Sequence, residues 1–381
     1  MSRFSCLASF LLVGGLVSTG MLLCETTATA QAPTLQPKIA TVDGVKLNAT
    51  FYPSAKKNSP VVIMVHPIGE GKNSKAPEWK ALAAMLQEKE FAVITFDLRG
   101  HGDSTTVDPD VFWGKPKEAW DMAQQFNRKY VRPTKELEII EVKDFIKNPA
   151  YLPALANDIA AVRAYLDRQN DMGECNTGSI MVVGADNGAT LAALWINAEW
   201  SRFKYAPSTN PMFPKAGTLD KRAEGADIIA AVFLSIQPSL HPTIKNIKVS
   251  GLLKKACKDN GMATAFFSGK DDTKSSTLAK TLESNLKTPK SKKHEYINAY
   301  DLPTNLSGIK LLQEGLMTDK SIAKYLSTVV EDRGAEWGQR NFVDTWYMWV
   351  TPVGKAQVPA KHRKGDKNLN YDTYERFINN P

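Results

Sequence analysis

The stretch from Gly178 to Leu194, Gly-Ser-Ile-Met-Val-Val-Gly-Ala-Asp-Asn-Gly-Ala-Thr-Leu-Ala-Ala-Leu, constrains this chain more than any other. Ile180 to Val183 is a short apolar run of the kind that forms a strand buried on both faces. Gly184 to Gly188 is small and polar, and Ala189 to Leu194 reads as helix former. The order is strand, tight turn, helix. Such a turn lifts one side chain, here that of Asp186, above a sheet edge. Its glycines are needed because strand and helix backbones approach too closely for a Cβ.

The remaining chain supplies a sheet to carry this turn. Lys38 to Tyr52 alternates in polarity around Asp43-Gly44, which predicts a hairpin. Pro60 to His66 and Phe91 to Phe96 predict two further buried strands. Between them, Trp79, Leu82, Ala83 and Leu86 are spaced along one helical face. Pro153 to Arg168 predicts another helix, with Leu155, Ile159, Val162 and Leu166 turned inward. Strands follow at Asp227 to Ser235, Met262 to Ser268 and His294 to Tyr300. Pro242 to Ala256 reads as partly helical, Leu278 to Leu286 as a helix and Gly308 to Val330 as the closing helix. This alternation predicts an α/β fold with a mainly parallel sheet and helices on both faces.

Two segments escape the pattern. From Ser104 to Pro153 periodicity fails, and Phe112, Trp113, Trp120, Phe126 and Tyr130 lie scattered among charges. Arg202 to Ala223 reads as a Pro-containing loop. After Glu331 the chain adds Trp337, Trp346, Tyr347 and Trp349, more aromatic than a disordered tail. Part of that segment is expected to pack on the body or to offer a binding face.

Residues 1–30 have the pattern of a secretory signal: Arg3, an apolar run from Phe4 to Leu23, then small residues at Ala28-Thr29-Ala30. The competing reading is an uncleaved anchor, weakened by Gly14, Gly15 and Gly20 inside the apolar run. The expectation is export, periplasmic or extracellular. Cleavage leaves Cys175 and Cys257, each just before a predicted strand. They form either a disulfide or two small buried thiols. The net charge of +8 is spread rather than gathered, with no basic run interleaved with aromatics. Nucleic acid and, after cleavage, membrane are therefore not expected partners. No phosphate-cradling glycine loop and no Cys/His spacing suited to a metal is present, so no cofactor and no metal are expected.

The string Asp97-Leu98-Arg99-Gly100-His101-Gly102-Asp103-Ser104 resembles the loop after the fourth strand of α/β hydrolases. With it come the elbow at Asp186, the turn His66-Pro67-Ile68-Gly69 and the spacing Gly269-x-x-Asp272. The resemblance runs from about Lys38 to Leu316 and implies a hydrolase-like domain over 31–330. It further implies a lid-like insertion at 105–152, followed by an extension at 331–381. It puts Asp186 in the nucleophile slot, as in members that cleave carbon–halogen bonds and epoxides. It assigns the orienting acid to Asp271 or, with better spacing, Asp272. It assigns the oxyanion donors to the Asn187 N–H and to the turn at His66, where Pro67 has no N–H and the duty falls to Ile68 or Gly69. It also implies a base after the last strand, where this chain has Leu306-Ser307-Gly308 and no histidine. His241, on the catalytic side after the strand at 227–235, is the one surrogate. With no imidazole to orient, Asp272 is expected to cap the following helix.

Two functions follow. The first is a degenerate hydrolase relative that keeps sheet, elbow and pocket but lacks a complete triad, and binds a small-molecule ligand or a partner. The second is a working hydrolase of the ester, haloalkane or epoxide class that uses Asp186, Asp272 and His241. A metal held among Asp186, His66 and Asp272 is a third and weaker idea.

Overall fold

A computed structural model describes residues 34–340 apart from 115–121, 133–136, 149, 207–217 and 243–245, with the backbone of 348–349 and 356–357. The signal-like segment and most of the C-terminal extension lie outside the described residues, as do Trp120, Trp346, Tyr347 and His362. Among the described residues no helix is long and apolar enough to cross a membrane.

The chain opens with β1 (Lys38–Ala40) and β2 (Lys46–Tyr52), paired antiparallel around the Asp43-Gly44 turn. β3 (Pro60–Val65), α1 (Pro77–Glu88) and β4 (Ala92–Phe96) follow. Then come α2 (Pro109–Phe112), α3 (Met122–Tyr130) and α4 (Ala156–Asp171). β5 (Asn176–Ala185) runs directly into α5 (Asp186–Glu199). β6 (Phe203–Ala206) and β7 (Thr218–Ala223) form a separate antiparallel ribbon. The main sheet resumes with β8 (Ile228–Leu234), then α6 (Val249–Leu253), β9 (Ala263–Gly269), α7 (Thr273–Leu286) and β10 (Ile297–Leu302). α8 (Thr318–Arg333) closes the body, and β11 (Met348–Trp349) pairs with β12 (Ala356–Gln357).

The main sheet has the order β1-β2-β4-β3-β5-β8-β9-β10. β1 and β2 are antiparallel to their neighbours, and β4 through β10 are parallel. This is the α/β-hydrolase type of sheet, mostly parallel and flanked by helices. Alternate side chains feed the two faces. Ile180 and Val182 join the core under α4, α5 and α7, while Met181 and Val183 join the core under α1 and α8. Burial on both faces explains why β3, β4 and β5 read as continuous apolar runs.

Two expectations need correction, and the choice left open at the cysteines is decided. The region expected to be a loop at 202–223 holds the β6–β7 ribbon. The closing helix is not continuous: a turn at Gly308–Leu312 stops before Gly315, and α8 starts after Met317, both at positive φ. Cys175 and Cys257 are free thiols, both buried. β8 lies between their strands; Cys175 faces the Leu166 carbonyl and Cys257 the Thr264 hydroxyl. The aperiodic segment is explained by packing, since Phe112, Phe126, Phe145 and Tyr151 are buried in the core on the α4 face.

The first residues of the extension lie across the amino end of β5. Ser179 Oγ accepts from the Ala335 N–H, Asn176 donates to the Ala335 carbonyl, and Trp337 Nε1 donates to the Asn170 carbonyl. A Cβ on Gly178 would lie 2.5 Å from Arg340 Nη2, so the Arg340 side chain packs directly over this glycine.

Candidate active site

The elbow is held by two glycines. A Cβ on Gly184 would stand 2.7 Å from Ala189 Cα, and one on Gly188 only 2.2 Å from the His66 carbonyl oxygen. Between them Asp186 has φ +51°, a conformation costing a non-glycine residue on the order of 1–3 kcal/mol. Its carboxylate is half-buried and receives one long hydrogen bond, 3.4 Å, from Gln237 Nε2. On the other side stands Gly308, at φ +58°, where a Cβ would lie 2.0 Å from Asp186 Oδ2. The stretch aligned with the expected base thus meets Asp186 through bare backbone. Burial pushes the Asp186 carboxyl up to about 6; Lys72 and the Gln237 bond pull it down, and the charge of Asp272 adds to the rise.

Of the donors expected for an oxyanion, the two in the turn after His66, those of Ile68 and Gly69, are engaged within the protein. The Ile68 N–H donates to Asn187 Oδ1 at 2.8 Å, and Asn187 Nδ2 donates to the carbonyls of Ile68 and Leu240, each at 3.0 Å. The Gly69 N–H donates to His101 Nε2 at 3.0 Å. Sequence reasoning offered Asn187 as a backbone donor; the structure places its side chain across the loop it was to work with. A polar amide next to a nucleophile slot was the available signal.

His66 and His101 form a buried pair, ring centroids 5.3 Å apart and edge to face. In each, Nδ1 meets a backbone carbonyl, of Pro67 at 2.7 Å and of Arg99 at 2.8 Å. In each, Nε2 meets a backbone N–H, of Leu98 and of Gly69, both at 3.0 Å. An N–H needs a bare acceptor, so both rings are neutral with the proton on Nδ1. Burial pushes His66 down to about 3 and lowers His101 as well, although Asp97 favours the proton on both. With both His66 nitrogens occupied, the metal idea among Asp186, His66 and Asp272 loses its nitrogen ligand. Among the described residues no cluster of three or more His, Cys, Asp or Glu side chains is placed to hold a metal.

Asp272 caps α7, its Oδ1 accepting from the Ser275 N–H at 3.3 Å. His241 is half-buried, one residue beyond the Leu240 carbonyl that Asn187 holds. His294 uses both ring nitrogens at the far end of the sheet, with Thr288 N and Lys258 O. Beside Gln237 a groove of about 840 Å3 runs between the loop after β8 and the start of α7. Ile236, Pro238, Ser239, Asp272, Thr277 and Leu278 are among the residues that line it.

Behind the histidine loop lies a polar network that sequence reasoning missed. Arg99 is fully buried. Its Nη1 meets Asp43 Oδ2 at 2.6 Å and the Tyr151 hydroxyl at 3.0 Å. Its Nε and backbone N–H each meet an Asp158 oxygen at 2.8 Å. Asn127 and Thr41 complete the shell of Asp43. Asp97 accepts from both N–H and Oγ of Ser74 and from the Asp103 N–H, pinning the other end of the loop.

No protein-family model matches the chain, and no curated protein matches it. Among solved structures it is similar to a dienelactone hydrolase from Anabaena variabilis, at 13% identity over 79% of this chain and 98% of that one, with a TM-score of 0.45. An esterase from Pyrococcus furiosus is 14% identical over 78% and 91%, at a TM-score of 0.46. An α/β hydrolase from Penicillium is 10% identical over 79% and 99%, at a TM-score of 0.47.

Proposed function

We propose that this chain is an exported protein of the α/β-hydrolase fold that has given up hydrolysis and keeps the elbow region as a small-molecule binding site. One observation carries the reading: the Ile68 and Gly69 N–H groups are consumed by Asn187 Oδ1 and His101 Nε2. An oxyanion hole works because its donors stand free and preorganised for charge that develops late, and removing one donor costs roughly 10²–10³ in rate. Here two candidates are already spent. Gly308 against Asp186 adds support, because a covalent ester on the acid would have no imidazole there to activate the hydrolytic water. The ligand enters by the groove beside Gln237, with Asp186 as its acidic anchor. Export rests on the signal-like pattern of residues 1–30.

The rival is a hydrolase with Asp186 as nucleophile, Asp272 as orienting acid and His241 as base. The strain kept at Asp186 is the observation in its favour. The two separate on one experiment. The mature protein is incubated with p-nitrophenyl esters, a haloalkane and an epoxide, product is followed, and the protein is weighed intact. The expected result is neither turnover nor adduct. Sustained turnover lost in both Asp186→Asn and His241→Ala establishes the rival.

A further inference from the structure

The hydrogen bond on Gly69 has an acceptor that exists only while His101 is neutral. A proton on Nε2 would set two donors face to face, and the bond would be lost. The turn beyond it carries two glycines at positive φ and is closed by one backbone bond, from the Lys72 N–H to the Gly69 carbonyl at 3.1 Å. Gly69 (φ +150°) and Gly71 (φ +71°) flank Glu70, and nothing stands within 4 Å of the place a Gly71 Cβ would take. On the near side Ile68 is fixed independently by Asn187. We propose that His101 is an acid-released latch: neutral, it holds the Gly69 N–H closed, and a proton taken up at Nε2 frees that amide and the turn 69–72. This rests on the reading of Ile68 and Gly69 as occupied donors, and it assigns the Gly69 half of that occupation to a titrating group.

The charges around His101 set its range. Asp97, at the base of its own loop, favours the proton; burial opposes it. His66 stands edge-on and is neutral, held by Leu98 and Pro67. Glu70 and Lys72 lie on the latched turn itself. Lys143, paired with Glu141 and next to Asp144, belongs to the turn packed on Gly100 through the Val142 N–H. The charge of Arg99 is committed to Asp43 and Asp158. Because burial holds His101 below its ordinary range, release is displaced to the acid side of that range.

The test is hydrogen exchange by mass spectrometry on the full chain at pH 7.5 and pH 5, corrected for intrinsic rates. Segment 66–72 is expected to lose about tenfold protection at pH 5, the scale of one hydrogen bond, while β4 keeps its own. His101→Gln offers an amide oxygen at every pH, so its segment stays protected at both. His101→Phe has no acceptor and is open at both. Should that variant not fold, ring-nitrogen spectra of 15N-histidine protein decide, by showing whether Nε2 gains its proton as the segment opens. The latch is overturned by unchanged protection while Nε2 is protonated, by equal loss in β4, or by His101→Gln opening as the parent does. No substrate enters this measurement, so its outcome is separate from whether the elbow hydrolyses anything.

Discussion

Arg99 and Asp186 both follow the carboxyl ends of parallel strands, β4 and β5, yet their surroundings are built in opposite ways. Around Arg99, two buried carboxylates, a phenol and an amide satisfy one another at 2.6–3.1 Å. Around Asp186, the carboxylate has one donor among the described residues, at 3.4 Å, and a bare glycine beside it. A fold that encloses one charge in buried partners has left this one half in water on a strained turn. Departures of that kind mark places maintained for something other than stability.

The sharpest way to break the comparison is to remove the cation from the satisfied site. Arg99→Met leaves Asp43 and Asp158 buried without a partner. The expected loss is about 3–5 kcal/mol, read as a collapse of the urea midpoint. Replacing both acids by Asn in the same background should recover part of it. If Arg99→Met alone unfolds no earlier than the parent, the network is not the anchor described above.

Asp186→Asn should act in the other direction. The folded carboxyl titrates near 6, above its unfolded value of about 4, so between those values the folded state binds more protons. Stability therefore falls as pH rises through that window, and the ionised group costs stability in full above it. Discounted for a half-buried group, that cost is roughly 2 kcal/mol at pH 7.5. Asp186→Asn should thus be more stable than the parent by about that much at pH 7.5 and nearly equal to it at pH 4. A gain of the same size at both pH values would mean that relief of backbone strain, not of charge, is at work.

How much of this was legible differs between the two sites. The elbow was readable because everything it needs is local: a β-branched run, two glycines and a helix former within seventeen positions. The sheet was readable for the same reason, through period-2 and period-3.6 patterns. The Arg99 site was not. Asp43 announced only a hairpin turn, and Asp158 sat inside a helical pattern whose apolar face drew the attention. What joins them is topology, which brings groups 56 and 59 positions from Arg99 onto one guanidinium. Asn187 shows the same limit at short range. Its backbone role could be inferred from the turn, but its side chain bridges to Ile68 and Leu240, 119 and 53 positions away.

The finest contrast removes one hydrogen-bonding group from each site. Tyr151→Phe deletes a hydroxyl that accepts from Arg99 Nη1 at 3.0 Å and donates to Asn127 Oδ1 at 3.1 Å, in a place without water access. Two buried partners each lose a bond, and the expected cost is about 1–2 kcal/mol. Gln237→Leu deletes the one donor to Asp186, but that bond is long and its acceptor half in water. The solvent replaces most of what is lost, so the expected cost is below about 0.5 kcal/mol. Its larger effect falls on titration: without the amide, the Asp186 carboxyl should move further up, and the pH dependence of stability should shift alkaline with it. Urea unfolding of both variants across pH 4–8 measures the two numbers together. Equal costs at the two sites would remove the distinction between an anchored charge and an exposed one, and with it the reason to look for a ligand at the elbow.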